Sequence, residues 1–264
     1  MNFGLLIVGD EILSGKRADK HLPKVIELLA ARGLALSWAR YVGDDPARIT
    51  ADLRDAFAGG DVVFSCGGIG ATPDDHTRQC AAAALGRELV LHPNARELIM
   101  ERVRTMGSEQ GTPTAEDHPD TQRRLQMGVF PEGAEIIANP FNKIPGFSIG
   151  DVHFVPGFPV MAHPMIESLL DTRYAHLHRP GAWQERSVIV FGSLEATLTP
   201  LMESLESRFP GIKVFSLPSV DHPQHGRHIE LGVKGSGDLL APAYAHLLAG
   251  LRQHGATTGP ELVR

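Results

Sequence analysis

The stretch FSCGGIGATPDDHT, residues 64–77, sets Gly67, Gly68 and Gly70 just ahead of the adjacent carboxylates of Asp74 and Asp75. Glycines in a turn after an apolar run expose backbone N–H groups and admit close ligand approach, the arrangement that cradles phosphate. Carboxylates beside a phosphate repel it unless a cation lies between them. A hard divalent ion with oxygen ligands resolves the conflict, because it bridges phosphate oxygens and neutralises charge developing on phosphorus. Asp10 in GDEILSGK and Asp44 in VGDDPARI add carboxylates after two further apolar runs. The chemistry this set could perform is metal-assisted work on a phosphorylated ligand. Asp44 and Asp75 are the candidates for metal binding or water activation, with Asp10 and Asp74 as supporting carboxylates.

Each residue also has a simpler reading. Thr72 with Asp75 three positions on is a capping box, favourable at a helix start without any catalytic role. Asp45 before Pro46 is an N-cap with proline at N1. Ser14 either caps a helix or, with Gly15, offers free N–H groups to phosphate at a helix start. GDEILSGK is not a Walker A loop: one residue too many separates Gly9 from Gly15, and Arg17 stands where Ser or Thr would hold magnesium.

The elements that must position these groups follow from periodicity. FGLLIVG (3–9) is a near-continuous apolar run, as a parallel strand covered on both faces requires. Leu22, Val25, Ile26, Leu29 and Ala30 recur at helical spacing before Gly33. LALSWARYVG (34–43) reads as a second strand, and Asp45-Pro46 opens a helix through Ile49, Leu53 and Phe57. DVVFSCGG (61–68) is a third strand and Pro73 to Leu85 a third helix. This alternation predicts a doubly wound, mostly parallel α/β sheet, whose site lies outside the carboxyl ends of the strands. Gly9-Asp10, Gly43 to Asp45 and Gly67 to Asp75 all fall there.

Residues 106–120 read as an exposed loop, 136–162 as short strands punctuated by Pro and Gly, and 174–183 as a linker. The remainder reads as strand 186–191, helix 195–208, strands 212–217 and 227–233, and helix 238–253, a small α+β unit. The expected domains are 1–172 and 184–256.

Bulk properties narrow the function. The 264 residues are 42% apolar and 21% charged, ordinary for a globular protein. A net charge of -6 argues against a broad grip on nucleic acid or an anionic membrane. From Arg173 to Arg264, nine Lys/Arg meet eight Asp/Glu, so no basic face is implied. Cys66 and Cys80 form no metal-type pair and read as reduced cytosolic thiols. The opening apolar run lacks a basic flank and is broken by Asp10 and Glu11, so it reads as a buried strand rather than a signal peptide. No run is long enough to span a bilayer, and a cytoplasmic location is expected. His222, His225 and His228 have no cysteine or helix to align them as zinc ligands. Trp38 and Trp183 read as core or domain-contact residues rather than base-stacking platforms.

Taken in order, GDEILSGKRADKH, VGDDPARI, CGGIGATPDDHT and VPGFPV resemble, over residues 3–170, the CinA-like branch of the MoaB/Mog molybdopterin-binding family. Residues 186–254 are similar to the KH-like domain that follows in CinA proteins. The nicotinamide mononucleotide deamidase domain of those proteins is absent before Arg264, so deamidation is not expected. The resemblance implies a MoaB/Mog-type sheet with a nucleotide or pterin pocket at its edge. It also implies a divalent metal (Mg, Mn or Co), molybdopterin as a possible ligand, and a homo-oligomer.

In the Mog branch the reaction is magnesium- and ATP-dependent adenylylation of molybdopterin, and its essential acidic residues match Asp44 and Asp75. The CinA branch resembles a metal-dependent pyrophosphatase for ADP-ribose-like compounds. Both reactions occur at an α-phosphate and differ in the attacking group. The family motifs add Pro145, Gly146, Pro156 and Gly157 to the ligand contacts at Gly67, Gly68, Gly70 and Thr72.

The sequence also departs from the pattern. Ala71 replaces a proline, Met161 a glutamate, and Asn142, Lys143 and Ile144 replace three small residues. Lys143 either pairs with substrate phosphate or fills the space a ligand takes in relatives. The altered segment favours a third possibility, a binding module without turnover. The KH-like unit has no G-x-x-G clamp; packing or dimerisation is its expected role, and nucleic acid is not an expected partner.

Overall fold

The computed structural model describes residues 1–179, 184–235 and 237–263; Trp183 lies outside them. The N-terminal apolar run forms β1 (Phe3–Val8), buried along its length. Leu6 and Val8 enter one core while Phe3, Leu5 and Ile7 enter the other. A strand with a core on each side has no face to give to polar residues, which is why the run is continuous.

After β1 come α1 (Asp10–Leu13), α2 (His21–Ala30), β2 (Leu36–Val42), α3 (Pro46–Gly59), β3 (Val62–Cys66) and α4 (Thr77–Leu85). Next are β4 (Leu89–Leu91), α5 (Pro93–Gln110), α6 (Pro119–Leu125), β5 (Val129–Pro131) and β6 (Glu135–Ile137). β7 (Gly146–Ile149), β8 (Val152–Val155) and α7 (Pro159–Thr172) complete the first unit. Its main sheet has the order β2-β1-β3-β8-β7-β6. β1 pairs in parallel with β2 and β3, and β3 with β8, whereas β7 and β6 add antiparallel. α2 and α7 cover one face through Val25, Leu29, Met165 and Ile166. α3 covers the other through Ile49 and Leu53, with Cys80 and Ala81 of α4. Trp38 is half-buried against that second core and donates its indole N–H to Asp61 at 2.9 Å.

Because four neighbouring strands are parallel, Val8, Val42, Cys66 and Val155 end at one edge. The Gly9 N–H donates to Val42 O at 3.0 Å and the Gly67 N–H to Val155 O at 3.0 Å, so the turns leaving the strands are tied together. Gly67 has φ +107, and a Cβ there would strike the Val8 carbonyl oxygen. Gly67→Ala is expected to cost at least about 1–3 kcal/mol for the strained backbone alone, read as a lower urea midpoint with unchanged slope.

Several boundaries differ from expectation: the strand expected over 212–217 runs to His222, and Tyr174, expected in a linker, is buried in the first unit's core. α4 begins at Thr77 rather than Pro73. α5 runs through Gln110, so only the residues between Gly111 and His118 remain outside helices in the expected loop. A further difference lies in the second unit.

The chain divides into compact units of Met1–Leu177 and His178–Arg264. The second holds β9 (Gln184–Phe191), α8 (Glu195–Arg208), β10 (Lys213–His222), β11 (Gly226–Gly235), α9 (Gly237–Gln253) and β12 (Thr257–Val263). Its sheet, β10-β11-β9-β12, is antiparallel throughout. β12 was not expected. Its register against β9 shifts between Thr258 and Glu261, at Gly259-Pro260; at the opposite edge β10 carries Pro218 in register with Ile229 and shifts only between Ser219 and His222.

The three histidines cluster at the β10–β11 hairpin, with ring centroids 5.0–5.7 Å apart. They close the turn: His222 Nδ1 accepts from the N–H groups of Gln224 (3.2 Å) and His225 (3.3 Å). His228 Nδ1 donates to Gly226 O at 2.9 Å. Among the described residues no group of three or more His, Cys, Asp or Glu is arranged to hold a metal ion. Nor is any helix among them long and apolar enough to cross a membrane.

Candidate functional site

The strand ends enclose a cavity of about 680 Å³. Gly67, Gly68, Gly70 and Thr72 form one wall of it, Pro145, Pro156 and Gly157 another. The glycine loop is held from behind. Thr77 N–H donates to Gly68 O at 2.9 Å and Thr77 Oγ1 to Gly67 O at 3.0 Å. Arg78, 4% exposed, donates from its guanidinium to Gly70 O. Burial lowers the pKa of Arg78, and the Asp75 charge works against that. With the carbonyls turned back into the protein, the N–H groups of Gly68, Ile69, Gly70 and Ala71 have no acceptor among the described residues. Two amides that sequence reading offered to phosphate are spent elsewhere: Gly67 on Val155, and Thr72 on the Asp75 carboxylate at 2.8 Å.

Three acidic turns meet here. Asp44, Asp74 and Asp75 line the cavity together with Glu11. Asp75 accepts from both the N–H and the hydroxyl of Thr72, and its own N–H donates to Thr72 O at 3.1 Å. The capping pair is therefore real but closes a free-standing turn. α4 starts two residues later, with His76 at its N-cap. Asp45 does cap α3, accepting from Ala47 N–H at 2.9 Å. Asp10 and Asp44 lock together: Asp44 Oδ2 accepts from Asp10 N–H at 3.0 Å and Asp10 Oδ1 from Asp44 N–H at 3.1 Å. Asp10 therefore braces Asp44 without itself lining the cavity. Burial raises the pKa of Asp44; the Asp10 N–H lowers it, and the charges of Asp10, Glu11 and Asp74 push it up.

Other expectations need correction. Ser14 and Gly15 are not at a helix start. DEIL forms the single-turn α1, Ser14 is its C-cap, and both residues leave the cavity to their neighbours Lys16 and Arg17. The first turn of α2 is held instead by Asp19, whose carboxylate accepts from His21 N–H (2.8 Å) and Leu22 N–H (3.0 Å). Lys143 has φ +66 and pairs with Glu101 outside the cavity. Both partners are about half exposed, so the pair contributes little. Lys143→Asn, a residue that tolerates this φ, is expected to shift stability by less than about 1 kcal/mol. It should leave pyrophosphate affinity in titration calorimetry unchanged. Gly146 lies within β7, where it lets the backbone pack against Phe154 O and the Met165 side chain.

Sequence reading missed Lys16 and Arg17 as cations of the cavity, although two basic residues directly after Gly15, beyond a strand end, were visible. It also missed a further stretch of the wall, formed by Met127, Asn139 and Phe158 with Asn142, Ile144 and Met161, the last three noted only as departures from the family pattern. That wall is apolar apart from its two amides. His21 supports the Pro156-Gly157 turn, its Nε2 donating to Gly157 O at 3.1 Å.

A family profile described as "Probable molybdopterin binding domain" matches residues 4–176. The chain belongs to the molybdopterin-binding domain family. The matched residues are those of the first unit and hold the whole cavity, so the site is the molybdopterin-binding domain's own sheet edge. The domain has the α/β, mostly parallel sheet of the MoaB/Mog type.

A CinA-like protein of Syntrophotalea carbinolica is 32% identical over 223 residues, 79% of this chain and 51% of that one. A protein of Aeropyrum pernix is 31% identical over 218 residues, 81% of this chain and 78% of that one. The crystal structure of CinA from Thermoplasma acidophilum, a protein described as of unknown function, superposes with a TM-score of 0.53 at 26% identity. It covers 65% of this chain and 98% of that one. The chain spans about half the length of the curated CinA-like relatives it matches, 51%, 51% and 47% for three of them.

Proposed function

We propose that the cavity binds a phosphorylated heterocycle, a molybdopterin-type pterin or a nucleotide, and cleaves the pyrophosphate bond of an ADP-ribose-type dinucleotide. The observation that carries the reading is the meeting of unpaired glycine-loop amides with Asp44, Asp74 and Asp75 in one cavity. The free N–H groups from Gly68 to Ala71 hold phosphate oxygens. Lys16 and Arg17 offset the negative charge of the ligand, and the apolar wall at Met127 and Met161 takes its ring.

The carboxylates fit a magnesium-type ion better than a caged one. Such an ion is held by one or two carboxylates plus ligand phosphates, so it requires no ready-made set of three protein ligands. Asp44 and Asp75 would hold it, and when bound it supplies charge neutralisation at phosphorus. In hydrolysis, water adds to phosphorus, the bond to the bridging oxygen breaks, and the proton of water passes to Asp44.

The family match favours one second reading, adenylylation of molybdopterin, in which a pterin phosphate takes the place of water. Incubation with dinucleotides, or with molybdopterin and ATP, in Mg, Mn or Co separates the two by product mass. AMP and ribose 5-phosphate from ADP-ribose support the first, and an AMP adduct formed only with molybdopterin supports the second. Thermal shifts without product over hours would leave a binding module and overturn both.

A further inference from the structure

Asn142 occupies the apolar wall with its hydrogen bonding half complete. Its Oδ1 accepts from Asn139 Nδ2 at 2.8 Å and from Ile144 N–H at 3.0 Å. Two donors on one atom fix which end of the amide is oxygen. Asn139 is itself anchored, donating to Ile144 O at 2.9 Å and accepting from Phe141 N–H at 3.0 Å. The carboxamide of Asn142 therefore cannot turn round without breaking both of its bonds. Its Nδ2 is left facing Met161 Sδ at 3.7 Å, and a thioether is a weak acceptor. A strong donor with a poor partner, among apolar neighbours in a ligand-sized cavity, calls for an acceptor from the ligand.

We propose that Asn142 determines specificity, pairing through Nδ2 with a ring carbonyl of the bound heterocycle. The inference rests on the reading of the cavity as a site for a phosphorylated heterocycle. Asparagine ordinarily reads adenine with both ends of its amide, accepting from the exocyclic amine and donating to a ring nitrogen. Here the oxygen is already spent, so the residue can only donate. A ring with an oxo group at that edge, of pterin or hypoxanthine type, receives the hydrogen bond. An amino ring of adenine type meets it donor to donor at the exocyclic amine and leaves it only a ring nitrogen as acceptor. Among ADP-ribose-type dinucleotides the preferred ligand then carries hypoxanthine in place of adenine. Met161 and Met127 contribute polarisable sulfur against the ring.

The test compares inosine diphosphate, adenosine diphosphate and inorganic pyrophosphate by titration calorimetry with magnesium present. Wild-type protein is expected to bind the inosine compound about tenfold more tightly than the adenosine compound, the net contribution of one hydrogen bond. Asn142→Asp keeps an oxygen for Asn139 and Ile144 but replaces the donor with an acceptor. Its charge weakens both nucleotides alike, so the ratio is the readout, and the ratio is expected to fall below one. Met161→Gln leaves the anchors of Asn142 in place and offers Nδ2 an amide oxygen, so it should flatten the ratio independently. A wild-type ratio near one, or a ratio unchanged in both variants while pyrophosphate still binds, overturns the inference and spares the parent reading. Failure of all three compounds to bind wild-type protein overturns both.

Discussion

Asp75→Asn is expected to lose metal-dependent cleavage of ADP-ribose by 100-fold or more in kcat, about the cost of removing one group that stabilises developing charge. The substitution is close to isosteric. Asparagine retains an oxygen to accept the Thr72 N–H, which now donates to the carboxylate at 2.8 Å, so the turn between the glycines and α4 stays closed. What disappears is the charge. Circular dichroism and the thermal midpoint should stay near wild type while product formation falls. Asp45→Asn serves as the control, because Asp45 is committed to the start of α3; turnover should be untouched. Wild-type turnover by Asp75→Asn with the fold intact would remove Asp75 from the mechanism.

A second large effect concerns acid stability. Ser148 Oγ donates to His153 Nδ1 at 2.7 Å, His153 Nε2 donates to Tyr174 Oη at 2.6 Å, and Tyr174 donates to Asp151 Oδ1 at 2.7 Å. His153 and Tyr174 each give one proton and receive one, which fixes the neutral Nε2–H tautomer. Burial, with a smaller push from Arg173, pulls the His153 pKa down from 6.5 to about 3. Above pH 6.5 neither folded nor unfolded chain carries a proton there, and stability is unaffected. Between 6.5 and about 3 the unfolded chain takes up a proton that the folded chain refuses, so stability falls with pH. The slope is about 1.4 kcal/mol per pH unit from this residue alone. His153→Gln lowers stability at pH 7 but is expected to flatten that slope. Urea titrations at pH 7, 5.5 and 4.5 measure it, and parallel pH profiles for the two proteins would refute the assignment.

The parallel sheet and the edge that carries the site were legible because their signals are local. FGLLIV can serve two cores only if it is a central strand, and Asp45-Pro46 begins a helix as its chemistry dictates. What escaped depends on distant partners. TPDD carries a true capping pattern, but Thr77 must reach back to the Gly67 carbonyl, and the helix waits for it. Ser14 looked like a helix opener because DEIL was not expected to make a turn of its own. Asp19 in ADKHLPK was the stronger signal. The direction of Lys143 is set by a positive φ and by a glutamate 42 residues earlier, neither visible in NKIPG. Asn142 likewise acquires its orientation from the closure of the segment between β6 and β7. TTGPELV does not read as a strand; it becomes one because β9 has an open edge to offer.

The prolines at the margins of the second sheet have a consequence for solubility. Pro218 lies in one outermost strand and Pro260 in the other, and neither has an N–H to offer a newcomer. A foreign strand laid along either side would find a missing rung in its ladder. Growth of the sheet by recruitment therefore stalls at both ends, and a crowded population of these chains is guarded against fibre formation by two imino acids.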